Sequence, residues 1–143
     1  MRKVVWLAGV LALSACNTPF NNALPPGSLT GNWSGSLSSA DTTLGSLRLS
    51  LVPASAYMAQ TRNTVGGWTM TGSWSMSLAS AVDSGTVAGD GMDGSLAMHF
   101  NLKGASGCVI DLHASPMGSS LFGLYTASAC AVPDSGNFTI TKQ

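Results

Sequence analysis

The chain has 143 residues with a formal net charge of zero, from 6 basic and 6 acidic side chains. This length suits one domain, and the basic residues are too scattered for nucleic-acid binding, which needs clustered Lys and Arg. Charged residues form only 8 % of the chain, against about 25 % in a typical soluble protein, and Ser, Thr and Gly take their place. Such a surface has little electrostatic protection against association. A weakly charged surface indicates either a tethered protein, which tolerates the lack of charge, or a surface that a partner protein covers.

The first 15 residues have the layout of a secretory signal peptide. Arg2 and Lys3 give a basic start, and the apolar run from Val4 to Leu13 is ten residues long. A helix needs about 20 apolar residues to cross a bilayer, so this run is too short to span one. A basic start, a short apolar centre and small residues at its end predict export and the removal of residues 1–15.

The end of this segment carries a more specific pattern. Leu13-Ser14-Ala15-Cys16 resembles the lipobox of bacterial lipoproteins. The resemblance implies that the chain is cut before Cys16, that its sulfur receives a diacylglycerol, and that its new amino group is acylated, for example with palmitate. Three acyl chains would hold the protein on a membrane without a protein span. Asn17 stands where inner-membrane members of that family commonly have aspartate, so the resemblance favours the outer membrane, on its periplasmic or cell-surface face. An ordinary signal peptide with a chance cysteine is the alternative.

A linker and one β-rich domain follow. Residues 16–28 are rich in Pro and Asn without periodicity, which predicts a lipidated linker. From residue 29 to residue 143 the chain alternates with period two, most clearly over 68–78, where Trp, Met, Gly and Leu alternate with Ser and Thr. Such alternation is typical of half-buried strands, and its recurrence predicts about eight of them. Only the connection at 53–66 is long.

An internal repeat indicates how these strands are arranged. Residues 71–87 align with 122–138 without a gap, and Asp-Ser-Gly recurs at 83–85 and 134–136, which predicts a turn in each copy. Similar hairpins in succession suggest a meander. Eight antiparallel strands with one apolar face close well into a barrel. We therefore predict an all-β, up-and-down barrel over 29–143, with a two-sheet β-sandwich as the alternative.

The first strand opens with a short recognisable motif. Gly31-Asn32-Trp33 resembles the G-x-W opening of lipocalins and the similar opening of avidins, which are calycin-type barrels. The resemblance implies that Trp33 plugs the barrel base beneath a basic side chain of the last strand, a role open to Lys142. No set of residues matches the biotin site of avidins, so no ligand is implied. Ordinary barrel packing is the alternative explanation of the motif.

Two cysteines remain after lipidation, Cys108 and Cys130. Because exported proteins meet an oxidising compartment, these two predict a disulfide. The alternative is a thiol metal site, which would need further Cys or His side chains nearby.

Two histidines are the candidates for a metal site. His99 and His113 both lie on the polar faces of their predicted strands. If residues 103–107 form the intervening turn, His99 faces Asp111, and His113 lies diagonal to His99. Diagonal neighbours on one sheet face are about 7 Å apart, so two imidazoles and a carboxylate could share copper or zinc. A surface His–Asp pair is the alternative. Copper superoxide dismutases also use an antiparallel β scaffold, but they need four histidine ligands, which this chain lacks.

The motifs G-x-S-x-G and H-E-x-x-H are absent, and the sequence assigns no catalytic residue. We therefore favour a non-catalytic structural or docking subunit of an outer-membrane or cell-surface assembly. Its partners would be the membrane, through the lipid, and an envelope protein. One alternative is a barrel for a small apolar ligand, with an interior lined by Trp33, Trp68, Trp74, Met76 and Phe100. The other is a copper- or zinc-binding envelope protein using His99, Asp111 and His113, with superoxide-dismutase-like activity as one form. Outside that alternative no cofactor is expected.

Overall fold

A one-turn helix and eight strands make up the computed structural model of the protein, which describes residues 26–40, 42–54, 66–92 and 95–143. The signal segment, Cys16, the linker as far as residue 25 and most of the long connection lie outside the described residues. The elements are α1 (Pro26–Leu29), β1 (Gly31–Ser39), β2 (Thr42–Pro53), β3 (Gly67–Leu78), β4 (Val82–Met92), β5 (Met98–Gly104), β6 (Val109–Met117), β7 (Ser120–Ser128) and β8 (Ser135–Lys142). Among the described residues, no helix has the length and hydropathy needed to cross a membrane.

The strands form a closed barrel in the order β1 to β8, and every neighbouring pair is antiparallel. The last strand pairs with the first, with Trp33 opposite Lys142 and Leu37 opposite Phe138. The predicted all-β, up-and-down barrel is therefore confirmed, and the two-sheet alternative is wrong. Closure leaves no sheet edge exposed, which explains how a weakly charged chain avoids edge-to-edge pairing.

Alternation along the strands fills the interior. In β3 the apolar side chains are buried and the Ser and Thr side chains between them face outward. The same pattern in the other strands produces one continuous apolar core. Among the described residues, no charged or polar side chain is buried in it except Tyr125, whose hydroxyl has no hydrogen-bond partner. The serine- and threonine-rich outer surface anticipated from composition is thus the other face of the strands that form the core.

The repeated segments correspond to two equivalent hairpins, β3–β4 and β7–β8. A Cβ added to Gly72 would lie 1.8 Å from the Ser50 carbonyl oxygen, and one added to Gly123 would lie 1.8 Å from the His113 oxygen. At both positions the backbone of the neighbouring strand lies too close for any residue with a Cβ atom, so only glycine fits. The predicted Asp-Ser-Gly turns are wrong in placement, because residues 83–85 lie within β4 and Ser135 already begins β8.

The two ends of the barrel carry different features. One end of the barrel holds α1, the first residues of the odd-numbered strands and the last residues of the even-numbered strands. We name it the entry end. The opposite end carries the turns that lead into the even-numbered strands and the bond between Cys108 and Cys130, and we name it the disulfide end.

Candidate functional site

The entry end is closed by contacts between both ends of the described chain. The Trp33 indole Nε1 donates to the Leu29 carbonyl oxygen at 2.8 Å, and Lys142 Nζ lies 5.9 Å from the centre of the Trp33 ring. Lys142 also donates to the Ser28 carbonyl oxygen at 2.7 Å. Trp33 and Lys142 thus meet as the calycin-type resemblance implied. Because one cation binds both the helix and the ring, this arrangement fastens α1 over the barrel base.

The residues expected to line a ligand cavity are all part of the packed core. None of them is more than 4 % exposed, and they belong to one cluster of buried side chains: Trp33, Trp68, Trp74, Met76 and Phe100. The Trp74 indole donates to the Lys103 carbonyl oxygen at 3.2 Å, which fixes its ring. A ligand could enter this interior only by displacing side chains that already fill it.

The candidate metal residues lie together on the outer faces of β5 and β6. His99 pairs directly with His113, and Asn101 pairs with Asp111. The predicted register was therefore wrong by two residues, because the turn runs from Gly104 to Cys108 instead of 103–107. The two imidazole centres are 5.2 Å apart and tilted by 42°.

His99 lies between two carboxylates. Its Nδ1 is 3.5 Å from an Asp90 oxygen, its Nε2 is 3.3 Å from an Asp111 oxygen, and Asn101 donates to that same Asp111 oxygen at 2.7 Å. Within the described ranges, no three His, Cys, Asp or Glu side chains are placed to hold one metal ion. The cluster is therefore best described as a histidine bridging two carboxylates.

The disulfide predicted between Cys108 and Cys130 is confirmed, with the sulfur atoms 2.04 Å apart. Cys108 directly precedes β6 and Cys130 follows β7, so the bond joins the open end of that hairpin. Beside it, an Asp83 carboxylate accepts hydrogen bonds from the Ser106 hydroxyl and the Ser84 amide. The Ser106 hydrogen bond in particular holds the pKa of Asp83 below its ordinary value, despite an opposing effect of burial.

Sequence reasoning missed a hollow on the outer face of β1, β2 and β3, which Trp33, Leu49 and Trp74 also line. It has a volume of about 490 Å³, and Arg48 lies at its centre between the facing residues Ser34 and Ser75. The remaining outward side chains of the hollow are Asn32, Ser50, Ser73 and Gln143. Both ion pairs among the described residues belong to His99, so Arg48 has no carboxylate partner there. The signal available in the sequence was a single cation within a run of leucine alternating with serine.

No family model, curated protein or solved structure matches the chain. Its class is thus defined by its own geometry, which is a closed eight-stranded antiparallel barrel with a filled interior and a hydroxyl-rich exterior.

Proposed function

We propose that the chain is a lipid-anchored protein of the cell envelope whose barrel is a non-catalytic docking subunit of an outer-membrane or cell-surface assembly. The lipobox-like segment ending at Cys16 supports the anchor. The bond between Cys108 and Cys130 supports an oxidising compartment, since such bonds are rare where thiols are kept reduced. A filled interior leaves the outer surface as the part of the barrel that can recognise another molecule.

The observation that carries the docking role is Arg48 in its hollow, where it has no carboxylate partner among the described residues. A guanidinium presents five N–H donors in a planar fork that matches a carboxylate, and the surrounding serine hydroxyls can donate or accept. Ser34 and Ser75 are short, so they leave the guanidinium accessible from outside. A partner segment that carries a carboxylate would supply the charge that the described barrel does not.

Removal of the guanidinium tests this role. We expect Arg48→Ala to release the protein from a larger complex, because the partner's carboxylate would lose its donors. The measurement is cross-linking and native electrophoresis of gently solubilised membranes. Lys103→Ala is the matched control, since Lys103 is also an exposed cation on an outer strand face. Migration of the wild type only as a free monomer, or an identical complex in Arg48→Ala, would contradict the docking role.

The anchor is tested separately by metabolic labelling with a palmitate analogue. We expect the label on the wild type and none on Cys16→Ser, which should accumulate with residues 1–15 still attached. The double variant Cys108→Ser/Cys130→Ser is the control and should keep the label, because its remaining thiol is the one in the lipobox. A mature chain that begins elsewhere with an unmodified Cys16 would overturn the anchor.

Both alternatives find less support. A small apolar ligand would have to displace buried side chains such as Trp74 and Phe100. A copper or zinc site would need a third ligand to join His99 and His113, and within the described chain the nearby carboxylates are not arranged for it.

A further inference from the structure

Exposed apolar side chains are concentrated at the entry end of the barrel. Val52 is the second-last residue of β2, Met92 ends β4, Leu96 precedes β5 and Met117 ends β6, and all four are between 48 % and 65 % exposed. At the disulfide end, Val82 is the one large apolar side chain of the described residues that is comparably exposed. We name the first four residues the apolar rim.

The same end receives the chain from its N-terminal segment. α1 is fastened there by the bonds from Trp33 and Lys142, and its first residue, Pro26, comes only ten residues after Cys16 in the chain. Ten residues span at most about 36 Å when fully extended. A lipid on Cys16 would therefore keep the start of α1, at the entry end, within about 36 Å of the bilayer.

We infer that the apolar rim rests on the lipid surface, so that the barrel stands on the membrane with its disulfide end pointing away. This inference rests on the proposed lipid anchor at Cys16. It adds a defined orientation, which a flexible tether alone does not give.

The chemistry of the rim suits a lipid surface. Methionine, leucine and valine side chains gain from burial at the boundary between headgroups and acyl chains, and each buried methylene adds to the affinity. Among the described residues near this end, Lys142 donates to the Ser28 carbonyl oxygen and Asp90 lies 3.5 Å from His99. Phe122, the third residue of β7, and Leu124 continue the apolar surface from the rim along the barrel wall.

Fluorescent probes at the two ends test the orientation. The full protein, with its anchor, is placed in vesicles of phosphatidylethanolamine and phosphatidylglycerol. A single cysteine labelled with an environment-sensitive dye is introduced by Leu96→Cys or Met117→Cys, and Val82→Cys is the matched control at the disulfide end. A nitroxide-labelled lipid in the same vesicles quenches any dye that reaches the bilayer.

We expect a blue-shifted emission and severalfold quenching at positions 96 and 117, with neither change at position 82. Adding Met117→Asp should weaken the quenching at position 96, whereas adding Val82→Asp should leave it unchanged. Equal quenching at both ends of a protein that still floats with the vesicles would overturn the orientation and leave the anchor intact. Failure of the wild type to float with the vesicles would overturn the anchor, and the orientation with it.

Discussion

The Tyr125 hydroxyl is a polar group buried in the core without a hydrogen-bond partner among the described residues. Burial disfavours the charged phenolate and raises the pKa of Tyr125 above its ordinary value. The unfolded chain therefore loses this proton at a lower pH than the native protein does. Stability should be unaffected below the ordinary tyrosine pKa of about 10 and should fall as pH rises above it.

Replacement of Tyr125 by phenylalanine separates these effects. At pH 7 we expect Tyr125→Phe to be as stable as the wild type or up to about 1 kcal/mol more stable, because the hydroxyl has no partner to lose. Above about pH 10 the wild type should lose stability that the variant keeps. Urea unfolding of both proteins across this range measures the difference. Parallel curves for the two proteins would show that Tyr125 ionises equally easily in both states.

Gly72 is fixed by the path of the neighbouring strand. A Cβ there would meet the backbone of Ser50, which cannot move without breaking the pairing of β2 with β3. We expect Gly72→Ala to destabilise the barrel by about 3 kcal/mol, at the upper end of overpacking effects. Gly123→Ala should behave alike, since it occupies the equivalent place in the repeat. Gly27→Ala is the control, because an added Cβ there meets nothing within 4 Å. Thermal melts with little change in Gly72→Ala would contradict this account.

At the scale of elements, the bond between Cys108 and Cys130 holds the β6–β7 hairpin at the disulfide end. The two cysteines are 22 residues apart, and closing such a loop stabilises by about 3 kcal/mol in the chain-entropy model. Reduction should therefore lower the melting temperature by roughly 10 °C, as calorimetry with and without dithiothreitol would measure. The Cys108→Ser/Cys130→Ser variant should have the melting temperature of the reduced wild type, and dithiothreitol should not change it. An unchanged melting temperature on reduction of the wild type would contradict the prediction.

The error in the β5–β6 register shows what alternation can and cannot predict. A shift of one residue turns every side chain to the wrong face, whereas a shift of two residues restores the faces. Phe100 packs inward whether it is opposite Ile110 or, as observed, Leu112. The core pattern predicted the strands and their buried faces, but it could not fix which histidine faces which carboxylate. That depended on the turn at Gly104–Cys108, where Gly107 has a φ of 91°.

At the scale of the whole molecule, the strand order was predictable and the surface was not. Short connections and one apolar face per strand favour a closed meander, and the resemblance around Trp33 pointed to Lys142 in the last strand. The hollow around Arg48 instead depends on three strands lying side by side with short side chains facing its guanidinium. Such a feature depends on which strands are neighbours in the folded sheet, and the alternation within one strand does not predict that.

The pairing of β8 with β1 has a consequence for biogenesis. Residues 135–142 complete the ring, so a chain that stops before Ser135 keeps two unpaired rows of backbone N–H and C=O groups, on β1 and on β7. Such rows are templates for pairing with other chains. The barrel therefore cannot close without residues 135–142, and chains truncated before Ser135 should aggregate or be degraded rather than accumulate as smaller barrels.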